Sequence, residues 1–291
     1  MRRARNAFLL PLMFHILVFR LANPIEGKNN FLEYMTWPEI QEAIKKGKVV
    51  IIPTGSIEQH GTALPMNVDA NSVNSIAKAV AIKSNQIVTP PLVFGASSFW
   101  RKFPGTMYLK PDTFKMVIED LVYSLLEAGF RRIFILNGHR PNIWFLDPAV
   151  VDIVDKYWEQ YKFTIAFSAY WDMPGVRDEL NRLRKGEKGS MGHACEAETS
   201  LTMYLQPELV RENELKKLKP RKVIWDWTTD RPMPQVYTGY ASPATTEGIM
   251  GDPTCATAES GKKFFDAIVN KVSEFISAYA TGNIDKYVLL K

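Results

Sequence analysis

Short apolar runs alternate with longer amphipathic stretches along this chain. Val49 to Pro53 is a β-branched run closed by Pro53, Gly55 and Ser56, the pattern of a buried strand running into a loop. From Asp69 to Lys83, the residues Val73, Ile76, Ala77, Val80 and Ala81 recur at helical spacing. Gln86 to Val93 reads as a second strand with prolines toward its end. Asp112 or Thr113 can cap a helix with Met116, Val117, Leu121, Leu125 and Leu126 on its apolar face, stopped by Gly129. A third strand, Arg132 to Leu136, runs straight into Asn137, Gly138 and His139. A helix over Pro148 to Tyr161 and a fourth strand over Phe163 to Phe167 follow. The last long helix is expected over Glu259 to Tyr279, with Phe264, Phe265, Ile268, Val272, Phe275 and Ile276 on one side. Strands that alternate with helices in this way predict an α/β fold: a mainly parallel sheet covered on both faces.

In such a sheet the site lies beyond the carboxyl ends of the strands. The two loops richest in chemistry, after Pro53 and after Leu136, both leave strands at that edge. Pro207 to Asp252 is rich in Pro, Trp, Thr and Gly with weak periodicity, and reads as an irregular insertion or lid within one domain.

The 291 residues, 46% hydrophobic and 23% charged, are enough for one large core. The formal charge of +5 is mild, and the clusters Arg182 to Lys188 and Lys216 to Lys222 read as solvated faces rather than a nucleic-acid surface. Two cysteines, Cys195 and Cys255, cannot form a disulfide framework and fit a reducing compartment, so a cytoplasmic location is expected. Met1 to Arg5 is basic and Ala7 to Phe19 apolar, as in a signal peptide. The run is too short for a stable membrane span, holds Pro11 and His15, and lacks a small-x-small cleavage site. Three readings stay open: a secretion signal, a peripheral anchor, or an untypical extension. The last is preferred because the globular pattern begins near Phe31, giving an extension over 1–30 and one domain over 31–291; export is the alternative if residues 1–22 act as a signal.

Four histidines are present, and His15 lies in the extension. The other three sit in polar, glycine-punctuated segments: Glu58-Gln59-His60-Gly61, Asn137-Gly138-His139, and Gly192-His193 leading to Glu196 and Glu198. Glu58 and His60 are two apart, so in an extended loop both reach the same side. Asp69 stands where a helix begins, and a plain helix cap is the alternative reading for it. Carboxylates can bridge two cations, which neutral imidazole cannot do. A mixed N/O set of Glu58, His60, Asp69, His139 and Glu198 suits zinc or manganese. His193 and Glu196 can share a helix face. Glu198 joins them only if the helix begins near Glu196, with Gly192 to Cys195 as a loop. Trp100, Arg101, Arg140 and Trp144 are candidates for the pocket wall; packing and surface roles are the alternatives.

The string Gly55-Ser56-Ile57-Glu58-Gln59-His60-Gly61, with Leu64-Pro65 and Asp69, resembles the first signature of the creatininase family. Phe103-Pro104-Gly105-Thr106, Asn137-Gly138-His139 with Asn142, His193 through Ser200, and Gly251-Asp252-Pro253 are similar to four later ones, in matching order. The resemblance implies a three-layer αβα sandwich and two divalent metal ions per subunit, zinc or manganese. It also implies a small-molecule substrate and a homo-oligomer, often a hexamer. Glu58 and His139 would hold one ion, His60 and Glu198 the other, with Asp69 between them. A bridging water would be the nucleophile and His193 the proton-transfer group. The family often has His at the position of Ala63, Glu-His at Phe99-Trp100, and two glycines where this chain has Arg140-Pro141. Creatininase carries a glutamate base at the position of Pro141, so creatinine itself is not the expected substrate, and Glu196 or the metal-bound hydroxide is the candidate base. Hydrolysis of an amide-type C–N bond is the first expectation. Cleavage of a C–C bond in a cyclic diketone of sugar or inositol catabolism is the second, and a non-catalytic metal-binding protein the third.

Overall fold

A computed structural model describes residues 27–223, 226–228, 239–284 and 287; the segment read as signal-like lies outside them. In chain order the elements are α1 (Trp37–Lys45), β1 (Val50–Thr54), α2 (Val68–Ser84), β2 (Ile87–Val88), α3 (Pro111–Ala128), β3 (Arg132–Asn137), α4 (Ile143–Tyr161), β4 (Thr164–Ala169), α5 (Val176–Leu183) and α6 (Glu196–Leu205). Two single turns, α7 (Glu212–Leu215) and α8 (Pro243–Thr246), precede the long α9 (Ala258–Thr281).

The four strands pair in the order β2-β1-β3-β4, all parallel. Alternate residues feed two cores. Ile51, Phe134 and Leu136 pack with α2, α5, α6 and α9, while Val50, Ile52, Ile133 and Ile135 pack with α1, α3 and α4. The result is the expected three-layer α/β sandwich, its sheet buried on both faces.

Three expectations need correction. The second strand is only Ile87–Val88, because Pro90 and Pro91 carry no N–H for a ladder; Leu92 still donates its N–H to Pro53. Helix α3 begins at Pro111, preorganised for a first helical position, rather than behind an Asp112 or Thr113 cap. Its buried face is Phe114, Ile118, Val122 and Leu126, and Met116 and Leu121 face solvent. Helix α4 starts at Ile143, five residues ahead of expectation, with Pro148 inside it. Pro148 brings no N–H to the helix ladder, and α4 runs through it to Tyr161. Helix α6 starts at Glu196 with Gly192 to Cys195 outside it, the condition set for Glu198 to face the other donors.

Candidate metal centre

Strands β1 and β3 are in register, Thr54 beside Asn137, so their loops leave the sheet side by side. The loop after β1 carries Glu58 and His60, and the loop after β3 carries His139. Asn137 Oδ1 accepts from the Thr54 hydroxyl, the His139 N–H and the Asn142 side chain at 3.1–3.2 Å. Asn142 in turn donates to the Gly55 carbonyl and accepts from the Ala96 N–H. These bonds tie the two loops together. Gly138 is required here: a Cβ on it would sit 2.6 Å from Val73 Cβ and 3.0 Å from the Asp69 carbonyl oxygen. That close approach brings His139 over the first turn of α2, where Asp69 stands.

Asp69 is not the cap of α2; Asn67 occupies that position. Its side chain instead spans two imidazoles, Oδ1 at 3.2 Å from His60 Nε2 and Oδ2 at 2.8 Å from His139 Nδ1. Glu58 Oε1 lies 3.4 Å from His139 Nδ1, and Glu198 Oε1 lies 3.9 Å from His60 Nε2. All five side chains are buried. Donor atoms of Glu58, Asp69 and His139 lie within 4.8 Å of one another, as do those of His60, Asp69 and Glu198. The two triads share Asp69. The structure thus brings together all five expected ligands. Glu58 Oε2 and His139 Nε2 are buried with no hydrogen-bond partner, which is costly unless a cation or a bound molecule engages them. Three buried carboxylates with two imidazoles is a donor set for hard or borderline divalent cations.

Without such a charge the groups perturb one another. Burial opposes charge on His60 and His139, but the facing Asp69 and Glu58 carboxylates lift them to about 9 and about 10. Burial pushes Glu198 up to about 8 and raises Glu58. Asp69 is held below the usual carboxylate range; burial raises it, but the two imidazoles it spans outweigh that. Burial also pushes the Tyr170 hydroxyl well up, with Glu198 and Asp69 adding to it, so this aromatic lies within reach of the cluster's field.

His193 joins a third donor group with Glu58 and His60. Its Nδ1 lies 3.5 Å from Glu58 Oε1, and its ring stacks on Trp100 at 4.2 Å and 21°. Burial, then the neighbouring His60, depresses its pKa well below the usual value. Its backbone is fixed by a two-way bridge to Met250. Glu196 is not brought to this cluster. Its Oε1 accepts the Lys185 N–H at 2.7 Å and its Oε2 the Gly186 N–H at 2.8 Å, so it pins the loop that precedes His193. Of the expected wall residues, Trp100 reaches the cluster through His193. Arg101 lies 3.5 Å over the Tyr240 ring, Arg140 lies 5.5 Å over the Trp171 ring, and Trp144 is 44% exposed.

The creatininase family model, described as creatinine amidohydrolase, matches residues 33–276. The chain belongs to the creatininase family. A creatinine amidohydrolase of Pseudomonas putida is 28% identical over 270 residues, covering 86% of this chain and 97% of its own. A 3-dehydro-scyllo-inosose hydrolase of Thermotoga maritima is 25% identical over 260 residues, covering 84% and 82%. Solved structures of creatininase in a manganese form and, for a mutant, a Zn-Zn form superpose with TM-scores of 0.72 and 0.70 at 26% and 27% identity, each covering 84% of this chain and 96% of the other. As a creatininase-family protein the chain is a hydrolase with metal-binding side-chain groups. Among the described residues no helix is long and apolar enough to cross a membrane.

Within this creatininase-family site, sequence reasoning missed the supporting residues. Asn137 and Asn142 were legible only as parts of a motif, and their loop-tying bonds needed the register of β1 and β3. Nothing in the spacing signals Tyr170 as a neighbour of the cluster; Gln59 stands between two expected ligands, but its approach to His193 depends on how loops distant in sequence fold back.

Proposed function

We propose that this creatininase-family hydrolase opens a cyclic or linear amide-type C–N bond in a small molecule, using two divalent cations. Glu58, Asp69 and His139 would hold one, and His60, Asp69 and Glu198 the other. The observation that carries this reading is Asp69, whose two carboxylate oxygens each face a different buried imidazole. When bound, such cations lower the pKa of water toward neutrality and polarise a carbonyl.

The chain's own residues supply the rest. His193 presents Nδ1 to the space shared by Glu58 and His60 and is the group that moves protons, ending with protonation of the leaving nitrogen. Pro141 has no side chain that accepts a proton, and both oxygens of Glu196 are committed to backbone amides, so the role expected of Glu196 as base passes to His193. Trp100 covers one face of the imidazole and keeps water from it. Two unbridged cysteines, one buried and one half-buried, support a cytoplasmic protein.

The inosose hydrolase relative favours a second reading, cleavage of a C–C bond in a cyclic diketone on the same donors. One experiment separates the two. Full-length protein loaded with zinc or manganese meets cyclic amides, formamides and cyclic diketones, with and without chelator, and products are read by mass. Chelator-sensitive gain of one water with release of an amine supports the first reading; the same gain on a diketone supports the second. Full activity in His193→Ala would overturn the role given to that residue.

A further inference from the structure

Nε2 of His193 faces a single residue that offers it two opposite partners. The main-chain carbonyl oxygen of Gln59 lies 2.8 Å from Nε2, and the side-chain amide nitrogen of the same Gln59 lies 2.9 Å from it. Amide orientation is often arbitrary, but here it is fixed: Gln59 Oε1 accepts the Gly61 N–H at 2.8 Å, which turns the NH2 toward the imidazole. A neutral imidazole nitrogen is either a donor or an acceptor. If Nε2 carries the proton, the carbonyl accepts it. If Nε2 carries the lone pair, the amide donates to it. Neither tautomer leaves a buried nitrogen without a partner, so neither is penalised on that side.

The ring has little freedom to exchange its nitrogens by turning over. It packs against the Trp100 indole at 4.2 Å and against the His60 ring at 4.3 Å. What changes at Nδ1 must therefore come from loss of a proton at one ring nitrogen and gain of one at the other through solvent, not from rotating the ring. The partner at Nδ1 sets the direction. Glu58 Oε1, at 3.5 Å, is an acceptor and favours Nδ1–H. A cation held by Glu58 would withdraw that acceptor and favour the lone pair at Nδ1, with one proton released to solvent there and one taken up at Nε2.

We propose that Gln59 is a positioning residue that gives Nε2 of His193 a partner in both neutral tautomers, so that Nδ1 can present either a lone pair or a proton to the space between Glu58 and His60. The inference rests on His193 as the proton-moving group. When Nδ1 takes a proton while Nε2–H donates to the Gln59 carbonyl, the imidazolium forms with that bond kept; release of the Nε2 proton to solvent then leaves a lone pair that faces the Gln59 amide.

The test reads the ring nitrogens directly. With only four histidines in the chain, 13C,15N-histidine labelling of the full-length protein, read by magic-angle-spinning NMR, resolves His193 in metal-free and zinc-loaded samples. Expected is a shift of the His193 proton from Nδ1 to Nε2 on zinc loading. Gln59→Leu removes the amide donor, and Gln59→Glu keeps the acceptor for Gly61 while turning an oxygen to Nε2. Both should hold the proton on Nε2 in both states, with zinc content unchanged. A wild-type tautomer that does not respond to zinc, or variants that still switch, would overturn the proposal. The measurement needs no substrate. A blank hydrolysis screen beside the expected tautomer shift would count against the hydrolytic reading and leave the role of Gln59 supported.

Discussion

Replacing Asp69 by asparagine removes one charge and almost no volume. The carboxylate it replaces touches two buried imidazoles, at 3.2 and 2.8 Å, and belongs to both donor triads. Loss of a mere supporting hydrogen bond weakens metal binding by about 10- to 100-fold. Loss of a shared ligand should reach at least about 100-fold. At a zinc concentration 100 times the wild-type Kd, binding stabilises the folded protein by about 2.7 kcal/mol; in the variant the same zinc sits near its Kd and contributes about 0.4 kcal/mol. For a chain of this size about 1 kcal/mol moves Tm by roughly 2–4 °C. Zinc should therefore raise Tm by about 5–11 °C in the wild type and by about 1 °C in Asp69→Asn. Scanning fluorimetry with and without zinc, together with metal counting after dialysis, measures both quantities. If the variant kept the wild-type zinc shift and metal content, the central place of Asp69 would be refuted, and its carboxylate would only be favouring the positive end of α2.

Three further outcomes follow from the same geometry. Gly138→Ala forces a Cβ to 2.6 Å from Val73 and should cost about 1–3 kcal/mol in thermal or urea unfolding. Glu196→Gln can accept only one of the two backbone N–H bonds from Lys185 and Gly186; stability should fall by about 1–3 kcal/mol while metal content stays at the wild-type value. Metal affinity should rise with pH. The metal-free protein holds protons on His60 (about 9), His139 (about 10) and Glu198 (about 8), and binding must displace them. Below pH 8, each unit of acidification should weaken binding by about tenfold per proton displaced. Calorimetry in buffers of different ionisation heat counts those protons, and an affinity flat from pH 6 to 8 would contradict the raised values.

The layered α/β architecture was legible because its elements obey local rules. Val50 to Thr54 and Arg132 to Asn137 are short β-branched runs, and α2 and α9 repeat apolar residues at helical spacing. What failed were positions where two local rules competed. Pro148 has the sequence signal of a helix start, although the turn at Arg140–Asn142 already launches the helix at Ile143. In α3 the broad apolar content hid which stripe faces the sheet, and only packing distinguishes Phe114 and Ile118 from Met116 and Leu121. The five side chains that meet around Asp69 were nameable because Glu58 and His60 share one short motif and because the family resemblance adds Asp69, His139 and Glu198 to them. Glu196 carries the same chemistry two residues from Glu198, yet one step round the helix start takes it from the cluster to the amides of Lys185 and Gly186. No spacing argument separates such neighbours.

The order of the donors along the chain bears on how the site is made. Glu58, Asp69 and His139 all lie within the segment that ends with β4 at Ala169. A nascent chain that has emerged that far already carries β1 to β4, every strand among the described residues, and the side chains of one triad. The other triad waits for Glu198, whose helix α6 packs closely on α9 through the contact of Gly261 with Ser200. A domain folds as a unit, so the side chains of the first triad leave the ribosome well before the site is complete, and Glu198 joins them only when α6 and α9 have packed onto the sheet.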